Sequence, residues 1–160
     1  MRLTVDVFGD RAIDRRFMRI GHNAADLSGA FDEILDAIET WVGRQFETQG
    51  AEFGARWDPL TDETIAQKER EGAADPAQAL VRTGALFLSL QGGPGGIRDV
   101  GREEAAMGSR EETMRYHHGR RRSSSNPVPR RTIFEPDEIR RRWMLDVLQR
   151  AVFDPGRVRP

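Results

Sequence analysis

Cysteine is absent from these 160 residues. That excludes a disulfide scaffold and thiolate zinc sites, and it suits a chain assembled in cytoplasm. Long apolar runs are missing too, since no stretch reaches the roughly 18 residues that a membrane-spanning helix needs. The first residues lack the charged-then-apolar pattern of a secretory leader, which argues against export. Lysine is nearly missing: of 25 basic side chains only Lys68 is a lysine. Signatures of catalysis are lacking as well. Ser89 and Ser109 stand in no Gly-x-Ser-x-Gly turn. His117 and His118 are neighbours in sequence, so their rings point in different directions and share a metal poorly. The pairs Glu103-Glu104 and Glu111-Glu112 sit in polar stretches that read as solvated. Gly92-Gly93-Pro94-Gly95-Gly96 is followed by neither Gly-Lys-Ser/Thr nor a helix start, which removes a phosphate-loop reading and leaves a flexible loop. The sequence offers no enzyme, and no cofactor or metal is expected.

What is there begins with charge. The net charge is −1, but residues 1–75 carry 9 basic and 16 acidic side chains, a net of −7, and the remainder carries +6. Such a division supplies two solvated surfaces of opposite sign, or a neighbour's basic part meeting this chain's acidic part in a head-to-tail ring. Arginine's planar fork suits paired interfaces of that kind.

Periodicity then gives the elements. Met1 to Phe8 alternates, with Leu3, Val5 and Val7 on one side, as a half-buried strand does. Ile13, Phe17 and Ile20 fall at helical spacing. Leu27, Phe31, Ile34, Leu35, Ile38, Trp41 and Val42 form the stripe of one long amphipathic helix, capped by Asn23 and reaching about Thr48. Thr61 caps a short helix whose first turn is acidic. Asp75-Pro76 predicts a third helix start, with Gly84 allowing a neighbouring backbone close. Ile97 to Val100 and Ala105 to Gly108 can pair as a hairpin. Met114 and Tyr116 suggest a brief helix, and Asp137 caps a last one with Ile139, Trp143, Val147 and Leu148 inward. The expectation is an α+β fold: one domain over residues 1–153, with a long N-terminal amphipathic helix, short helices, a small antiparallel sheet and a C-terminal helix. Residues 154–160 read as a flexible tail.

Three signatures stand in fixed order within this frame. The first is Gln49-Gly50 with Trp57-Asp58-Pro59-Leu60-Thr61, Thr64 and Lys68. The second is Leu80-Val81-Arg82-Thr83-Gly84-Ala85-Leu86 with Ser89. The third is Met107-Gly108-Ser109, Tyr116-His117-His118-Gly119 and Pro129-Arg130-Arg131. In that order they resemble the phage virion morphogenesis family, the tail-completion or neck proteins of tailed bacteriophages that include the Mu G-like proteins. The resemblance covers about residues 45–135. It departs at Glu112-Thr113, where the family has Tyr-Ala, and at His118, where it has glutamine. The resemblance implies a non-enzymatic virion subunit at the head–tail junction, assembled in the host cytoplasm. Its partners would be copies of itself in a ring, commonly of six, with connector or stopper proteins above and tail-terminator or tail-tube proteins below, and DNA passing through the opening. The residues singled out for such contacts are Trp57 and Pro59 in the first signature, Arg120, Arg121 and Arg122 in an arginine–serine loop, and Arg130 and Arg131 on an extended, proline-rich arm.

A second reading comes from the basic span alone. Arg115, Arg120, Arg121, Arg122, Arg130 and Arg131 concentrate positive charge enough for salt-sensitive phosphate contacts. They define a small DNA-binding accessory protein using the Arg115–Arg131 loop. Tyr116 is its only aromatic before Phe134, which leaves base stacking poorly supplied.

Overall fold

The structure, a computed structural model, describes residues 10–117 and 131–153. The expected strand Met1–Phe8, most of the arginine–serine loop and arm, and the tail 154–160 lie outside the described residues. In chain order the elements are α1 (Asp10–Ala24), α2 (Ser28–Glu47), α3 (Asp62–Arg70), α4 (Ala85–Leu90), β1 (Gly96–Val100), β2 (Ala105–Ser109), α5 (Glu112–His117) and α6 (Glu138–Phe153). Among the described residues, helices with one two-stranded antiparallel sheet make the fold α+β, as the patterning predicts.

α2 is the axis. Its N-terminal half buries Ala30 and Ile34 against Val147 of α6, with Trp143, Met144 and Leu148 packed around them. Its C-terminal half buries Val42 and Phe46 against Trp57, Ala79, Leu86, Leu90 and Ile133. Ile38 touches both clusters and joins them. Aromatic edges set the spacing: Phe46 meets Trp57 at 5.5 Å and 88°, and Trp41 meets Trp143 at 5.5 Å and 76°. Trp41 is packing, in keeping with its place on the stripe.

Several boundaries differ from the sequence reading, each for a local reason. Asn23 does not cap α2; it ends α1, where its Nδ2 donates to Val152 O at 2.9 Å. The break falls at Ala25–Leu27, and Asp26 Oδ1 accepts from both the Ser28 amide (3.1 Å) and its hydroxyl (2.6 Å). Thr61 does cap α3, its Oγ1 accepting from Thr64 N at 3.3 Å. Asp75-Pro76 starts no helix. The carbonyls of Asp75 and Gln78 turn to Lys68 Nζ, and Ala79 N donates to Gln49 Oε1 at 2.7 Å, so the backbone groups a helix would use are committed elsewhere. Leu80 then takes φ 61° and Gly84 φ 79°, and α4 begins only at Ala85. No atom lies within 4 Å of where a Gly84 side chain would stand, so this glycine serves a left-handed turn rather than a close approach.

The hairpin pairs Ile97 with Gly108, Arg98 with Met107 and Val100 with Ala105. Its β propensity is poor, and side chains hold it in place instead. Arg98 reaches Asp32 (3.0 Å), Asp36 (2.8 Å) and Glu39 (2.8 Å), three carboxylates on one face of α2. The glycine run is a hydrogen-bonded turn into β1, with Gly93 N on Leu88 O at 2.9 Å and Arg110 N on Gly95 O at 2.9 Å. Asp137 caps α6, its Oδ1 accepting from Arg140 N at 2.8 Å. Ile139, expected inward, is exposed. Arg140 takes that place: its guanidinium lies over the rings of Trp41 (5.4 Å) and Phe53 (5.1 Å) and pairs with Glu52 and Asp137. A stacked and paired arginine fills the inward position better than a β-branched side chain one step around the helix.

Candidate functional site

The described residues of the signatures lie around the C-terminal half of α2 and the α4–β2 contact. Gln45 donates through Nε2 to Thr132 O at 2.7 Å and accepts from Phe53 N at 3.1 Å. Trp57 Nε1 donates to the same Thr132 carbonyl at 3.1 Å. Gln49, itself at φ 51°, donates to Phe46 O and holds Ala79 N. Ser89 and Ser109 hydroxyls meet at 2.6 Å, and Ser109 also receives Glu111 N at 3.0 Å. Buried amides and hydroxyls need such partners, because an unmade bond there costs about 1–3 kcal/mol. Gln45, Gln49 and Trp57 therefore fasten the Phe53 loop, the Ala79 turn and the Thr132 segment about the end of α2, and Ser89 with Ser109 ties α4 to β2.

Between α3, the 80–86 turn and Arg131 they leave a groove of about 520 Å³. Pro59, Leu60, Leu80, Val81 and Leu86 supply its apolar wall, and Thr61, Thr64 and Thr83 its hydroxyl-bearing residues. Two of the cations that line it, Lys68 and Arg131, are each only 6% exposed. Lys68 Nζ donates to Gln78 O at 2.6 Å and, at 3.5 Å, to Asp75 O. Burial pushes its ammonium below the usual lysine value, partly offset by Asp75. Arg131 donates once, Nη2 to Asp58 O at 3.1 Å, and its Nε is buried without an acceptor. Burial lowers this guanidinium too, with Asp58 opposing. Among the described residues neither cation has a carboxylate within 4 Å. On the rim, Arg82 grips Glu71 in a two-point contact (2.7 and 2.6 Å), which holds Glu71 below the usual carboxylate range.

The predicted contact residues fare differently. Trp57 is buried against Phe46, so it is not a surface contact of this subunit; its ring is needed under the 131–134 segment. Pro59 is exposed at the groove's edge. Arg131 was expected on an exposed arm and is buried, because Ile133 anchors in the core only two residues on and draws it inward. Arg120, Arg121, Arg122 and Arg130 lie outside the described residues. Lys68 stands within the first signature but is not among the residues that the resemblance singles out for contacts. Its signal was present: in a chain that otherwise uses arginine throughout, one lysine marks a place for a compact ammonium.

The chain matches no family model, no curated protein and no solved structure.

Proposed function

We propose that the chain is a structural virion protein of a tailed bacteriophage, a ring-forming neck or tail-completion subunit that joins the head connector to the tail and lets DNA pass. The ordered signatures supply the family resemblance. The observation that carries the reading in the structure is α1. From Ile13 to Arg19 every side chain is exposed, including Ile13 (54%), Phe17 (67%) and Met18 (67%). This helix meets the body at its last turns, through Ile20 and Asn23 beside the end of α6. A 15-residue helix with so little tertiary support is marginal alone in water, and its apolar face suits burial against a neighbour in an assembly. The groove and the fastened loops fit a rigid part rather than a turnover site.

Purified particles test this. The chain should be present in intact virions in a fixed ring-sized copy number, and its deletion should leave separate heads and tails. Its absence from purified particles, or normal head–tail joining without it, refutes the reading. Retention on duplex DNA that falls steeply with salt, by a protein missing from particles, would favour the accessory DNA-binding reading instead.

A further inference from the structure

A guanidinium has five N–H donors. Arg131 is 6% exposed, yet among the described residues one of its donors is used, and Nε is buried with no acceptor. Lys68, which lines the same groove, is equally buried and is satisfied by carbonyl oxygens alone. Two buried cations without a carboxylate are half of an ion-paired site, and the opening over them is lined on both sides by apolar and hydroxyl-bearing residues. Such a wall fits a polypeptide segment that brings a carboxylate.

The same chain carries matching acceptors. Glu103 and Glu104 sit at the hairpin tip, are exposed, and have no side-chain partner among the described residues. The tip is held firm: Gly101 N donates to Glu104 O at 2.8 Å, Leu27 N to Arg102 O at 2.9 Å, and Arg102 reaches Asp26 at 3.5 Å. Glu111 and Thr113, which follow β2, line the groove at the other end of the hairpin. Tip and groove are thus separated by the length of the five-residue hairpin, roughly 17 Å, and cannot meet within one subunit.

We propose that the Lys68–Arg131 groove receives the Glu103–Glu104 tip of a second copy of this chain. The contact joins two different surfaces, so it is head-to-tail, and repeated around an axis it closes a ring. This deepens the proposed function and rests on it.

The absence of native cysteine makes the test clean. Glu103→Cys and Thr83→Cys, both at exposed positions, are prepared as separate full-length proteins, mixed at assembling concentration and oxidised, with Glu138→Cys replacing Glu103→Cys as the control. A covalent heterodimer forming about tenfold faster than with the control is expected for groups held together by the contact. In parallel, Glu103→Gln with Glu104→Gln should keep the wild-type melting temperature and weaken self-association about tenfold or more in sedimentation. Cross-linking no faster than the control, or unchanged self-association of the double variant, overturns the contact. If rings of this chain are nonetheless found in particles, the assembly reading stands and only the tip-in-groove contact falls. Absence of the chain from particles refutes the assembly reading itself.

Discussion

Gly50 shows how a single residue in the first signature acts. It sits at φ +100°, and a side-chain carbon there would stand 2.6 Å from Trp57 Cδ1 and 2.7 Å from the Trp57 amide nitrogen. Gly50 N donates to Gln45 O, and Trp57 N to Gln49 O at 2.7 Å, so the backbone has no room to retreat. Gly72 has a comparable φ of +77° but nothing within 4 Å. Gly72→Ala should therefore cost only the left-handed strain, about 1–2 kcal/mol. Gly50→Ala adds steric overlap with the core and should cost about 2–5 kcal/mol. Denaturant unfolding of the two variants checks this, and equal losses would contradict it. At this scale the sequence was partly legible. Thr61 and Asp137 announce their caps because side-chain oxygens placed before acidic turns act locally. Arg131 did not announce its burial, since that depends on Ile133 docking under α2, a contact with no local signature.

Among the elements, α3 is tied to the 75–80 turn through Lys68, and the tie has a pH signature. Burial holds the folded-state value of this lysine below its ordinary value of 10.5. Between the two values the unfolded chain binds more protons, so stability rises with pH through that alkaline window and levels off above 10.5. In Lys68→Met this rise should vanish. At neutral pH the variant should also lose about 1–3 kcal/mol, because the Asp75 and Gln78 carbonyls lose their donor. Urea titrations between neutral pH and the lysine window measure both effects, and an undiminished rise in the variant would remove Lys68 as its source. The missed helix start at Asp75-Pro76 has the same origin. Local propensity favours a helix there, but Lys68 and Gln49 take the backbone groups. The α2 stripe, by contrast, was legible nearly throughout, because Ile34, Leu35 and Val42 repeat on a 3.6-residue period that needs no partner to be seen. Ile139 misled because Arg140 stacks on aromatic rings from distant segments.

At the scale of the whole molecule, α2 divides the work: one half seats the signature loops and the groove, and the other seats α6, from whose far end α1 extends. Subunit stability and assembly should accordingly separate. Phe17 and Met18 are each 67% exposed and neither belongs to a buried cluster of the subunit. Replacing them should change subunit stability by about 0.5 kcal/mol or less, as for surface sites generally. In an assembly that buries them, each side chain contributes roughly 1.5–3 kcal/mol through apolar area removed from water. A glutamate in either place would add the cost of burying an unpaired charge. Phe17→Glu with Met18→Glu should therefore melt with the wild-type protein, stay monomeric in sedimentation where wild type associates, and leave unjoined heads and tails in lysates. Conversely, Val147→Ala removes core packing between α2 and α6 and should lower the melting temperature while association survives in the folded fraction. Normal yields of intact, infectious particles from the Phe17/Met18 double variant would show that α1 is not an assembly surface. The case for a ring subunit would then rest on the signatures alone.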